Sequence, residues 1–376
     1  VKKNHKKHEE TRMTSRRKFL SGAASAGLMF CGCGMLAPTR AATLPKRPDG
    51  SRVKTIDMHA HCYFRPAIDL MGADAPRVLP PVRDVGKHLI PASDKAAVAQ
   101  RLADMDAMGI DMEVLSINPF WYGQDRDTSA AICKIQNDGM AELAAAYPQR
   151  FAGFASLSLQ FPDLAVQQLE DAVKKQGLRG AAIGGSVAGV DFSNAKFHPV
   201  WARAQELGAV LFIHPQSAPE LAKRFAGNGW LSNVIGNPLD TTIALEHLIF
   251  EGTLDKFPEL KILAAHGGGY LGSYAARSDR SCYVSPQNCN PDIVLKKKPS
   301  EYIKQLYFDA MVFTPEALSF LISQVGIGQV VLGTDHPIPW EQHPIDHILA
   351  TPLSDADRIA ILSGNAEKLL NLKLQG

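Results

Sequence analysis

Eight short apolar runs rich in β-branched residues recur along this chain, at residues 54–58, 112–117, 151–157, 180–183, 210–213, 261–265, 306–309 and 330–333. Between them lie stretches of helical periodicity, at 95–108, 129–147, 162–175, 200–207, 241–250, 270–279, 315–324 and 355–362. Strands that are apolar along their whole length must be covered on both faces, which implies a parallel sheet dressed with helices. Eight strand–helix units predict closure into a (β/α)8 TIM barrel of the α/β class. The competing architecture is an open doubly wound sheet. No Gly-x-Gly-x-x-Gly turn follows the first run, however, so a dinucleotide fold lacks its phosphate loop. Residues 54–376 are expected to form one barrel domain with two inserted loops, 63–92 and 216–240, and loops of that length after barrel strands build or cover a site.

Residues 1–42 differ chemically from the rest. They hold nine basic residues against two acidic ones, a balance of +7, whereas the remainder holds 31 against 36, a balance of −5. An acidic main domain argues against nucleic acid or an anionic membrane as its partner. Ser15-Arg16-Arg17-Lys18-Phe19-Leu20 precedes a small-residue apolar run at 22–36, which is the form of a twin-arginine export signal and predicts a periplasmic protein. The run is too short for a stable membrane span. Ala41 and Ala42 suit removal by signal peptidase; retention as an N-terminal anchor, or lipid attachment through Cys31 or Cys33, are the alternatives, and Met13 is an alternative start. A Pro-containing linker occupies 43–53. Of the cysteines beyond the leader, Cys282 and Cys289 lie close enough in sequence to pair in an oxidising compartment, while Cys62 and Cys133 are scattered.

The chemistry is concentrated at the ends of the apolar runs. The first ends Asp57-Met58-His59-Ala60-His61, and residues two apart on a strand project to the same face, so both imidazoles can reach one ion. His214 closes the fifth run, His266-Gly267-Gly268-Gly269 the sixth, and Gly333-Thr334-Asp335-His336 the eighth. The C-terminal ends of barrel strands host the active site of this fold. The set therefore predicts a metal held by His59, His61, His214 and Asp335, with His266 and Asp335 as the acid/base groups. Nitrogen ligands with one carboxylate suit Zn²⁺, with Mn²⁺ and Fe²⁺ as alternatives. Trp121, with Asn118 and Tyr122, is placed to line a substrate pocket after the second strand. His198 reads as a helix start, His343 and His347 as a solvated pair, and Asp309 as a group that orients a histidine.

At these residues, and at Tyr147-Pro148-Gln149-Arg150-Phe151, the 256–261 segment Lys-Phe-Pro-Glu-Leu-Lys and Gly364-Asn365-Ala366-Glu367, the chain resembles the amidohydrolase-related family of metal-dependent decarboxylases. The resemblance runs from about residue 55 to residue 372. It implies a non-oxidative carboxy-lyase acting on a small unsaturated or aromatic carboxylic acid; a hydrolase of a lactone, amide or ester using the same metal-activated water is the alternative. It also matches Arg277 to an arginine presented to a substrate carboxylate across a homodimer interface, against the plainer reading of a solvated helix charge, with Arg280 as a neighbour. Two departures stand out. A second substrate arginine has no counterpart at 90–94, leaving Arg83 or Lys87 as basic candidates, and Gln216 and His336 replace aromatic residues, which predicts a more polar pocket.

Overall fold

The computed structural model describes residues 43–78, 83 and 93–372. The segment 1–42 read above as an export signal, Lys87 and most of 79–92 lie outside the described residues. Leu44–Gly376 make one compact unit. Among the described residues no helix is long and apolar enough to cross a membrane.

Among the described residues nine parallel strands are β1 (Ile56–His61), β2 (Met112–Ser116), β3 (Phe151–Gly153), β4 (Ala155–Ser156), β5 (Gly180–Ile183), β6 (Val210–Ile213), β7 (Lys261–Ala264), β8 (Tyr307–Asp309) and β9 (Val330–Val331). They hydrogen-bond in the orders β1-β2-β3 and β4-β5-β6-β7-β8-β9. The third apolar run is thus one stave in two pieces, interrupted at Phe154, whose N–H continues the ladder to the Leu115 carbonyl at 2.8 Å. The ring closes where Met58 N–H donates to Leu332 O at 2.8 Å and Asp335 N–H donates to His59 O at 2.7 Å. A (β/α)8 barrel results. Its helices begin and end on local chemistry. Asp94 accepts from the N–H groups of Ala96 and Ala97 at the head of Lys95–Met108, and Gly109 at φ 76° ends that helix.

Two hydrophobic clusters separate the faces of the staves. Ala182, Phe212, Leu263 and Val331 belong to an inner set, while their neighbours Ala181, Leu211, Ile262 and Val330 pack outward among helix residues such as Leu169, Trp201 and Leu248. In β1 this alternation changes phase. Ile56 and Met58 are inner residues, but Ala60 is outer, and the pairing with β2 shifts between Asp57 and Ala60. This β-bulge inserts one residue and hands the inner face to the odd-numbered positions, aiming His59 and His61 into the mouth. Sequence periodicity placed the two histidines on a common face but did not place the bulge. β1 also runs to His61, three residues past the expected end at 58. At the opposite end, Leu369 and Leu370 of the terminal helix Asn365–Leu370 join the inner cluster and plug the barrel.

Gly180 permits the close approach of β5 to β6. It sits at φ +150°, and a Cβ there would stand 1.9 Å from the Val210 carbonyl oxygen. Gly177, at φ +73°, has nothing within 4 Å. Chemical denaturation is expected to show a loss of roughly 3 kcal/mol or more for Gly180→Ala and only about 1 kcal/mol for Gly177→Ala. Equal losses would contradict this account of the packing.

Candidate metal centre

His59, His61, His214 and Asp335 offer ligand atoms that all lie within 4.8 Å of one another, and all four residues are buried. Each imidazole has one nitrogen committed and one spare. His59 Nδ1 donates to Asp309 Oδ2 at 2.6 Å. The Ser116 hydroxyl donates to Ala60 O, so its oxygen accepts from His61 Nδ1, both at 3.0 Å. His214 Nδ1 donates to the Pro215 carbonyl at 3.0 Å. The three Nε2 atoms are buried without a hydrogen-bond partner. Two of them crowd one carboxylate oxygen, Asp335 Oδ1 lying 2.9 Å from His61 Nε2 and 3.3 Å from His59 Nε2. Three ring nitrogens without hydrogen-bond partners and an anionic oxygen converging in a dry space are costly unless a cation satisfies them. The donor set is therefore that of a metal site, with the outer hydrogen bonds fixing each tautomer.

Asp309, at the end of β8, organises the surroundings. Besides the His59 ring, its carboxylate accepts from the N–H groups of His266 at 2.9 Å, Gly267 at 2.9 Å and Met311 at 3.1 Å. That pins the His266-Gly267-Gly268-Gly269 turn beside the cluster, with the His266 ring centroid 5.1 Å from that of His59 and 5.3 Å from that of His214. His266 Nδ1 is buried and unpartnered. His266 and Asp335 both hold left-handed backbone, at φ 55° and 62°. Non-glycine residues in that region are strained, and such strain gathers at functional sites.

Beneath the cluster, a second polar layer is fully buried. Arg101 Nε donates to Glu113 Oε2 at 2.6 Å and Arg101 Nη1 donates to the His61 carbonyl at 2.8 Å. His336 Nδ1 donates to Glu113 Oε1 at 2.6 Å. Burial alone would raise the Glu113 carboxyl, but Arg101 and His336 bring it down to about 2. His336 thus faces Glu113 rather than making the pocket more polar, a correction to the expectation from sequence.

A cavity of about 220 Å³ opens onto His61, His214 and Asp335, walled by Tyr63, Asn118, Phe120, Gln216 and Trp230. Trp121 is not part of it. Its ring is wholly buried and its indole donates to Leu157 O at 2.9 Å, so it anchors the loop after β2 while Phe120 faces the cavity. Arg277 is exposed and lines a different cavity of about 900 Å³ together with Arg280, Glu246 and the Cys282–Cys289 disulfide. Within its own chain it does not approach the cluster. Arg83 is exposed on a turn and does not line the smaller cavity. Among the described residues, the arginine that does is Arg77, exposed on the short helix Ala75–Val78, its guanidinium 5.0 Å from the Phe120 ring centroid and 3.4 Å from Asp74 Oδ1. Sequence reasoning passed over Arg77 because nothing in a long loop specifies which of its cations stands at the cavity. His198 begins the helix His198–Leu207, as expected, and pairs with Lys256. His347 is buried against Ala310 O at 2.7 Å instead of forming a solvated pair with exposed His343.

The family profile described as Amidohydrolase matches residues 56–372. This chain belongs to the amidohydrolase family. It is 30% identical over 276 residues to the 2-amino-3-carboxymuconate-6-semialdehyde decarboxylase of Dictyostelium discoideum, covering 72% of this chain and 76% of that protein. Its fold is similar to that of 5-carboxyvanillate decarboxylase from Sphingomonas paucimobilis, with a TM-score of 0.76 and 26% identity over 85% of this chain and all of the other. It is also similar to a dihydroxybenzoic acid decarboxylase from Polaromonas sp. JS666, with a TM-score of 0.72 and 27% identity over 85% and 97% of the two chains. That structure holds manganese and the inhibitor 2-nitroresorcinol.

The protonation states suit an amidohydrolase metal site. Burial pushes His61 down and His214 well below the usual imidazole range, leaving lone pairs available. Burial opposes a charge on His59 too, but the carboxylates of Asp309 and Asp335 raise it to about 10. Asp335 is held well below the usual carboxylate range, its burial outweighed by the His59 and His61 rings that crowd its Oδ1. A cation that takes the His59 lone pair must displace a proton, whereas His61, His214 and Asp335 release none. Calorimetric titration of the metal-free protein at about pH 8 should show about one proton released per ion, with affinity climbing as pH rises and levelling off above about pH 10. Proton release near zero at pH 8 would contradict these assignments.

Proposed function

We propose that the protein is a metal-dependent non-oxidative decarboxylase of a small aromatic or unsaturated carboxylic acid. The observation that carries this reading is the convergence of three unpartnered Nε2 atoms and Asp335 Oδ1 beside a histidine that is not part of the donor set. Zn²⁺ fits the three nitrogens and one carboxylate, and the manganese in the Polaromonas relative makes Mn²⁺ the principal alternative. The ion, when bound, supplies Lewis-acid polarisation and a fixed positive charge for an anionic substrate.

The residues divide the remaining work. Arg77 is the cation on the cavity wall, suited to hold a carboxylate or phenolate oxygen. Phe120, Tyr63 and Trp230 give the cavity aromatic walls against which a planar ring can lie. Loss of CO2 leaves an electron pair on carbon that a proton must quench. Burial and the neighbouring His59 charge bring His266 down to about 4, so at neutral pH it is a neutral base able to take a proton from the substrate. Asp335, ionised at rest and with one oxygen at the cluster, can accept that proton from His266 and pass it to the carbon. Arg277 can serve the site only from a second copy, which makes a homodimer part of the proposal, as periplasmic export through the leader is.

Metal-reconstituted protein should release CO2 from one or more hydroxylated benzoates or unsaturated dicarboxylates. His59→Ala and Asp335→Asn should lower kcat by about 10³-fold, and Arg77→Ala should raise KM by roughly tenfold or more. Hydrolysis of lactones or esters without CO2 would remove this reading.

A further inference from the structure

The two oxygens of Asp335 have different neighbours. Oδ1 stands at the cluster, while Oδ2 accepts a 2.7 Å hydrogen bond from Trp340 Nε1. Trp340 lies five residues on, in the segment after β9, and its ring is held in turn. Trp230 stacks on it with centroids 5.8 Å apart and planes 14° apart, and Phe313 leans on it at 5.9 Å. The three rings come from three segments, those that follow β6, β8 and β9. Trp230 also lines the cavity and holds left-handed backbone at φ 51°, as Phe313 does at 66°. A tryptophan in that region persists only where its surroundings hold it, and here the parallel stack on Trp340 does so.

We infer that Trp340 is a positioning residue for Asp335, and that Trp230 transmits to it the placement of the 216–240 loop. The inference rests on the metal reading above. An indole N–H is a neutral donor with no acceptor and no ionisable proton at working pH. Bound to Oδ2, it occupies the far oxygen and leaves Oδ1 alone for the cation, so the carboxylate is offered through one oxygen. Without that bond the carboxylate is free to turn both oxygens toward the ion and lose the orientation that proton transfer requires. The loop that walls the cavity thereby shares a rigid contact with the group that acts inside it.

Trp340→Phe keeps the stacking surface and removes only the donor. Chelator competition with Zn²⁺ and Mn²⁺ should show affinity weakened 10- to 100-fold, and kcat should fall with KM nearly unchanged. With Co²⁺ in the site, the visible bands of Trp340→Phe should lose intensity as a second carboxylate oxygen joins the ion; a change in packing alone does not produce that signature. Trp230→Phe, which keeps an aromatic ring on Trp340, should keep the wild-type metal affinity and Co²⁺ spectrum. Trp230→Ala, a change at a partly exposed loop residue, should weaken affinity several-fold and provides the same test if Trp340→Phe does not fold. Wild-type affinity and Co²⁺ spectrum in Trp340→Phe would overturn the inference while leaving the metal site standing. Failure of the wild-type protein to bind any of these ions would overturn both.

Discussion

The carboxylate of Asp309 is buried among four donors, the His59 ring and the backbone N–H groups of His266, Gly267 and Met311. Burying a carboxylate costs several kcal/mol unless its oxygens are satisfied. Here the satisfaction comes from the parts that must be held still. One oxygen sets the tautomer of His59 and draws in the His266 N–H, and the other fixes the glycine turn that follows. Gly333 lies against this joint, where a Cβ would come within 2.7 Å of Asp309 Cβ and 2.9 Å of His59 Cβ. The close approach of β8, β1 and the segment after β9 is therefore a condition for the cluster, and the barrel's closure supplies it.

A second constraint operates one layer down. Arg101, Glu113 and His336 are all buried, and Arg101 bonds the carbonyl of His61 itself. Removing one member of a buried ion pair costs about 3–5 kcal/mol, because the remaining charge has no solvent to turn to. Such a network contributes little net stability, but it leaves few alternative positions for the strand end that carries His61. The mouth of the barrel is thus held by charged groups below and by the aromatic stack of Trp230, Trp340 and Phe313 above. The donor set lies between them with its Nε2 atoms unspent.

Much of this was legible in the chain. The eight apolar runs are the staves of the barrel, and His59, His61, His214 and Asp335 come together as strand-end spacing implied. What misled was everything that depends on the direction of a loop. Trp121 and Phe120 are adjacent in sequence, and only packing decides that the first is core and the second is cavity wall. His336 was read from its position after Asp335 as a pocket residue, but the buried charge of Glu113 claims its ring. Arg77 went unnoticed in a long insertion.

The sequence by itself determined the periodicity, the order of the staves and the chemical identity of the groups at their ends, because these follow from burial and from the repeat of a strand, which are local properties. Tertiary structure alone decided the bulge that turns His59 and His61 inward, the choice of Arg77 as the cation on the cavity wall, and the bond from Trp340 to Asp335. Each of these is a contact between segments far apart along the chain. Its energy depends on distances and orientations that exist only once the barrel has closed.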